Sequence, residues 1–168
     1  MYKRQAIEDP NPVLFFEHKA LYRSIRQEVP VDYYTIPLGK AALLKQGDQV
    51  TIITYGAGVH WALELLEKDT SISCDLIDLR TLQPLDTKTI FASVRKTGKV
   101  LLLTEDSSFG SVMSDISAMI MEECFEHLDA PVRRVASLDT PIPFAGQLEE
   151  QYLSRKRLET TLKELLDY

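Results

Sequence analysis

Cysteine is almost missing from this chain. Its 168 residues contain only Cys74 and Cys124. Two cysteines so far apart make neither a disulfide scaffold nor a metal knuckle. They read as small buried hydrophobes, which suits a reducing cytoplasm. Histidine is scarce too. His18, His60 and His127 share no metal-ligand spacing, and none stands beside a nucleophile. No Ser or Cys occupies a G-x-S-x-G elbow. Long basic runs are missing as well: before Arg155-Lys156-Arg157 no Lys/Arg run exceeds two residues, and the net charge is −6. Phosphate backbones repel an acidic chain, so no nucleic acid is expected as a partner. No apolar run approaches the ~20 residues of a membrane helix, so no membrane partner is expected. Met1-Tyr2-Lys3-Arg4-Gln5 leads into no apolar signal core. What remains is a globular balance, 45% hydrophobic and 26% charged, in a chain long enough for one domain with a real core.

What is present is a regular alternation. Residues 41–44 make a short strand closed by Gly47-Asp48. Residues 50–55, Val-Thr-Ile-Ile-Thr-Tyr, are β-branched and continuous, as a strand buried on both faces should be. Gly56-Ala57-Gly58 turns the chain. Val59, Ala62, Leu63 and Leu66 then follow at helical spacing. The unit repeats: a strand over 74–79, then a helix capped by Asp86, lined by Ile90, Phe91 and Val94 and ended by Gly98. A third apolar strand covers 100–104. A polar loop from Glu105 to Gly110 leads to a helix with Val112, Ile116, Met119, Ile120, Glu123 and Cys124 on one face. A last strand covers 132–136. The loop from Pro141 to Phe144 precedes a helix with Leu158, Leu162, Leu165 and Leu166 on its stripe. Strands alternating with helices predict an α/β fold, a three-layer α/β/α sandwich with a mostly parallel sheet, over residues 38–168.

The segment before it is different. Val13-Leu14-Phe15-Phe16-Glu17 is as apolar as a packed strand, and such a strand needs neighbours. Few residues precede it, so the expectation is a chain that begins partway through a larger domain. Residues 18–37, punctuated by Pro30 and Pro37 and lacking a steady period, read as a connector.

Two places in the sandwich are candidates for ligands. Gly56-x-Gly58 opens a helix after a strand, where backbone N–H groups can receive a phosphate. A dinucleotide fingerprint needs a third glycine where Trp61 stands, and the plainer reading of the pair is a tight strand-to-helix turn. Glu105 and Asp106 lie past a central strand, at the sheet edge where α/β folds bind ligands. They either line a cleft or cap the next helix. His60 falls on a first helical turn, and His127 suits a helix C-terminus. Composition and spacing assemble no catalytic set.

The longer motifs carry a resemblance. Residues 6–23, Ala-Ile-Glu-Asp-Pro-Asn-Pro-Val-Leu-Phe-Phe-Glu-His-Lys-Ala-Leu-Tyr-Arg, resemble the end of the pyrimidine-binding domain of thiamine-diphosphate 2-oxo acid dehydrogenase beta subunits. Ile36-Pro37-Leu38-Gly39-Lys40-Ala41 resembles the opening of a transketolase C-terminal domain. So do Thr54-Tyr55-Gly56, the run Ile77-Asp78-Leu79-Arg80-Thr81-Leu82-Gln83-Pro84-Leu85-Asp86, the run from Leu128 to Val135, and Asp139-Thr140-Pro141-Ile142-Pro143-Phe144. The resemblance covers nearly everything after residue 5.

It implies a component that decarboxylates a 2-oxo acid on thiamine diphosphate with Mg²⁺ and acylates the lipoyl group of a dihydrolipoyl acyltransferase. It also implies that residues 1–17 are the last part of a pyrimidine-binding domain and 18–37 a linker. The activating glutamate and catalytic histidine of such subunits lie upstream of the stretch matched here. The chain alone is therefore expected to hold no catalytic or cofactor-binding residue and to serve subunit assembly. Its expected partners are an alpha subunit or fused alpha domain, a second copy in a heterotetramer or homodimer, and the acyltransferase, to which Asp129 and the Tyr168 carboxylate are candidate contacts. A potassium ion is implied at a loop of the form Ala-Ile-x-Asp-x-Asn-Pro, here Ala6, Ile7, Asp9 and Asn11. Hard oxygens suit such a cation; the same loop is also a strong turn former. Phe15-Phe16-Glu17-His18-Lys19 and Asp139-Thr140-Pro141-Ile142-Pro143 incline towards a branched-chain substrate. A stand-alone assembly module, or a piece of a transketolase or deoxyxylulose-phosphate synthase, are the competing readings.

Overall fold

The computed structural model describes residues 2–168 and divides into two units, residues up to Leu38 and Gly39–Tyr168. In the first, Tyr2–Glu8 forms helix α1 from mostly straight-chain helix formers, and Pro10 stops it. Leu21–Ser24 makes a single turn, α2, inside the stretch expected to be a connector. The strand expected over 13–17 does not form. A strand needs a neighbour for its N–H and C=O groups, and this segment pairs with none. Leu14 and Phe16 are instead 85% and 88% exposed. Polar contacts tie the unit: Tyr33 donates to Glu8 Oε2 at 2.7 Å, and Lys3 pairs with Glu17 at 2.9 Å.

The second unit is the three-layer sandwich the alternation predicts. Its strands are Ala42–Lys45 (β1), Val50–Thr54 (β2), Cys74–Asp78 (β3), Val100–Ser107 (β4) and Arg133–Ser137 (β5). They lie in the order β1-β3-β2-β4-β5. β2, β3, β4 and β5 run parallel, and β1 is an antiparallel edge with a register shift between Leu43 and Lys45. Helices Ala57–Lys68 (α3), Thr87–Thr97 (α4), Val112–Cys124 (α5), Gly146–Tyr152 (α6) and Arg155–Leu166 (α7) complete it. Alternate residues of each strand serve opposite faces. Ile52, Leu76, Leu101 and Leu103 pack against Ala62 and Leu66 of α3 and Leu158, Leu162 and Leu165 of α7. Ile53, Ile77, Val100 and Leu102 pack against Ile90 and Val94 of α4 and Met113, Ile116 and Ile120 of α5.

One boundary, one helix face and one short helix depart from the sequence reading. β4 runs on to Ser107, because Ser107 pairs with Ser137; Glu105 and Asp106 therefore end a strand rather than open a loop. Glu123 is exposed, and Met113 takes a place in the core. The short helix α6 was not foreseen, since only Tyr152 of it is buried.

Asp86 joins local and tertiary structure. It accepts from Thr89 N–H at 3.2 Å and the Thr89 hydroxyl at 2.8 Å, capping α4, and from Ala41 N–H at 3.1 Å. Asp86→Ala removes the cap and orphans the Ala41 amide. We expect a loss of about 2 kcal/mol, read as a lower urea midpoint with an unchanged slope.

Candidate functional site

The strand order places a switch point. β3 lies on one side of β2 and β4 on the other, so the crevice of the fold opens where the carboxyl ends of β2 and β4 diverge. Tyr55 and Thr104 meet there, with their hydroxyls 3.2 Å apart. Gly56, at φ 57°, reverses the chain into α3. Gly58 answers a different need. A Cβ on it would stand 2.1 Å from Thr54 Oγ1 and 3.4 Å from Leu103, so this glycine lets the helix press on the sheet. Thr54 and Leu103 fill the space beside Gly58, whereas nothing stands within 4 Å of a Cβ built on Gly56. Among the described residues no three His, Cys, Asp or Glu side chains gather as a metal cluster. A diphosphate with its Mg²⁺ does not fit these residues.

Beside the crevice sit His60, Asp78 and Arg80. Burial pushes the His60 pKa down, while Asp78 draws it up. Burial pushes the Asp78 carboxyl above its ordinary range, against the Arg80 amide, the Arg80 guanidinium and His60. Arg80 N–H donates to Asp78 Oδ1 at 3.2 Å, and its Nε lies 3.7 Å from Oδ2. Arg80 takes a left-handed φ of 55°, a strained conformation for a residue with a Cβ. Asp106 does not cap α5: its Oδ1 accepts from Ser107 N–H at 2.8 Å, and Ser111 holds the N-cap position. Glu105 is half-buried at the end of β4.

The proposed ion loop lies in the first unit. Ala6 and Ile7 belong to the last turn of α1; Asp9 and Asn11 follow it. Asn11 turns back, donating from its backbone N–H at 2.9 Å and its side-chain amide at 3.0 Å to Asp9 Oδ1. These two bonds hold the Asp9 carboxyl below the usual range. Residue 10 is proline and offers no N–H to the Ala6 carbonyl. The Asn11 N–H, spent on Asp9, does not serve Ile7. Two carbonyls, Asp9 Oδ2 and the Asn11 amide oxygen are hard oxygens, the ligand chemistry a monovalent cation of this kind would take.

The remaining candidates are dispersed. His18 is exposed in the first unit, and His127 ends a 3-10 turn over Phe125–His127. Cys74 and Cys124 are free and buried, and burial pushes the Cys74 thiol up to about 11. Asp129 packs its carboxyl beside Gly98 and donates its N–H to Gly98 O at 2.8 Å. The Tyr168 ring lies 6.0 Å from the Arg133 guanidinium. Sequence reading missed the Tyr55–Thr104 pair and the His60–Asp78–Arg80 group. Their only signal was position at the ends of parallel strands.

Known proteins sharpen the picture. The 2-oxoisovalerate dehydrogenase subunit beta of Bacillus subtilis is 47% identical over 170 residues, covering 98% of this chain and 52% of that protein. The pyruvate dehydrogenase E1 component subunit beta of the same organism is 47% identical over 165 residues, covering 95% of this chain and 50% of that one. The chain thus spans about half the length of these relatives. Among solved structures, a split-gene transketolase, in an inactive beta4 tetramer, matches with a TM-score of 0.67 and 27% identity over 85% of this chain and 46% of that one. The family model of the transketolase C-terminal domain matches residues 39–157, the whole of the sandwich up to the first turn of α7. With β1 to β5, α3 to α6 and the start of α7 inside that match, the chain belongs to the transketolase C-terminal domain family.

Proposed function

We propose that this chain is the carboxyl-terminal half of a beta subunit, or of a fused alpha–beta chain, of a thiamine-diphosphate-dependent 2-oxo acid dehydrogenase. One observation carries the reading. The alignment to the 2-oxoisovalerate dehydrogenase subunit beta covers 98% of the chain, so it passes through the first unit, outside the family match at 39–157. The whole enzyme would decarboxylate a 2-oxo acid and pass the acyl group to a lipoyl group of a dihydrolipoyl acyltransferase. This half serves assembly with an alpha subunit and a second copy, in a cytoplasmic setting that suits its free cysteines. Phe109, Ile142 and Phe144 stand exposed on loops at the carboxyl edge of the sheet, as residues of a contact surface do.

A chimera tests this. The present chain replaces the matching half of the Bacillus subtilis 2-oxoisovalerate dehydrogenase subunit beta. It is expected to assemble and to decarboxylate 2-oxoisovalerate in preference to pyruvate. A folded, assembled chimera without 2-oxo acid decarboxylation would overturn the reading. The isolated chain is expected to show no micromolar heat of binding with thiamine diphosphate and Mg²⁺ in calorimetry.

Potassium belongs to the same reading. In the assembled chimera, exchanging Na⁺ for K⁺ is expected to raise the melting temperature, and Asp9→Ala to abolish that difference. Equal melting in the two salts would leave residues 6–11 as a turn and no more.

A further inference from the structure

Arg134 and Arg157 line one depression at the carboxyl end of β5, with a volume of about 230 Å³. Each guanidinium is held in place, and each is held only by neutral acceptors. Arg134 Nη1 donates to Ser108 O at 3.0 Å and to Ser114 Oγ at 2.6 Å. Arg157 Nη2 donates to Ala136 O at 2.6 Å and Tyr152 O at 3.1 Å, and its Nη1 to Gln151 O at 3.1 Å. Neither forms an ion pair among the described residues, whereas Arg80 and Arg155 do. A guanidinium has five N–H donors. Among the described residues no acceptor takes the Nε–H and Nη2 hydrogens of Arg134, or the Nε–H and one Nη1 hydrogen of Arg157. Both cations are therefore oriented without being neutralised.

The rest of the lining agrees. Asp139 is its one acid, and Asp139 Oδ1 accepts from Phe109 N–H at 2.9 Å. Two positive charges against one negative make this depression cationic on a chain of net charge −6. Ser137 lines it too. It is 2% exposed, and its hydroxyl has no hydrogen-bond partner. That hydroxyl is closed off from the solvent, so Ser137 forms part of the wall and presents no donor to the depression. Thr161 adds a hydroxyl from α7.

We propose that this depression is an oxyanion site for a small phosphate-bearing molecule, bound by the uncommitted guanidinium hydrogens of Arg134 and Arg157. Guanidinium forks match tetrahedral phosphate oxygens well. The volume admits a phosphate with a short carbon appendage and is too small for a dinucleotide. The assignment stands apart from the dehydrogenase reading, since it rests on residues 108–161 of the second unit alone.

The test is a titration of the isolated chain with inorganic phosphate, followed through the arginine Nε–Hε resonances. Those of Arg134 and Arg157 are expected to shift and saturate by about 20 mM, and NaCl at matched ionic strength to leave them in place. Arg134→Gln is expected to weaken binding about tenfold. Arg157→Gln is expected to weaken phosphate binding about tenfold as well, whereas Ser137→Ala keeps both charges and is expected to leave it unchanged. No saturation by phosphate, the same shift with NaCl, or unaltered binding in Arg134→Gln overturns the proposal. Tighter binding of acetate than of phosphate overturns the phosphate assignment.

Discussion

Gly47→Ala is expected to destabilise the protein by about 3 kcal/mol or more. The cause is space. A Cβ on Gly47 would stand 2.1 Å from Cys74 N and 2.4 Å from the Ser73 carbonyl carbon. Both are backbone atoms at the head of β3, and neither can swing away. Gln49 and Ser73 hold that backbone on both sides: Gln49 N–H donates to Ser73 O at 2.9 Å, and Ser73 N–H to Gln49 Oε1 at 2.9 Å. Cys74 is in register with Val50 in the parallel pair of β2 and β3. Relief must therefore come from moving the β1–β2 turn, which breaks the Gly47 N–H bond to Asp75 Oδ1 at 3.0 Å. Urea unfolding checks the effect; a midpoint equal to that of the parent would show that the turn yields freely. Thermal melting should fall by about 6–12 °C.

Asp75→Ala is expected to cost about 2–4 kcal/mol. The carboxylate is buried on β3, with a side chain 2% exposed, and accepts three bonds. They come from Lys96 Nζ at 2.6 Å, the Ser93 hydroxyl at 2.6 Å and Gly47 N–H at 3.0 Å. Ser93 in turn meets Thr51 Oγ1 at 2.7 Å, and Thr51 meets Thr97 at 2.7 Å, all inside the sheet–α4 interface. Removing Asp75 leaves the head of that network unpaired. Burial alone would raise its pKa, but Lys96, Ser93 and the Gly47 amide more than offset this and hold it below the ordinary value. The sign follows. A lowered folded-state pKa means stability that is full above the unfolded-state range near pH 4 and is lost as pH falls through the lowered value. Asp75→Ala should flatten the acid limb of the stability profile and leave its shape above pH ~5 unchanged. An acid limb as steep as the parent's would show that Asp75 is not the titrating group. Because Gly47 and Asp75 share one hydrogen bond, the double variant should cost less than the two single losses added.

The alternating segments were legible because each is locally complete. β2 is fully buried, as its unbroken β-branched run implies. Asp86 caps α4 and Gly98, at φ 67°, ends it, as their residue types imply. The apolar run at 13–17 looked equally complete and was not, since a strand exists only beside another. The pair Gly56-x-Gly58 carries two demands that look alike in sequence: a reversed φ at Gly56 and close helix-to-sheet contact at Gly58. The ion loop was legible only through a resemblance. The Asx turn that takes the Asn11 N–H away from the Ile7 carbonyl needed coordinates.

By itself the sequence determined the class of fold and the order of the strands and of the longer helices within residues 39–168, because periodicity, caps and turn residues act over a few neighbouring positions. Tertiary structure alone decided which strand ends meet at the switch point. It also decided that Asp75 draws its partners from residues 47, 93 and 96, and that Arg134 and Arg157 share one depression. Those groupings depend on strand order and crossover. The chain meets itself there across long separations that no local pattern encodes.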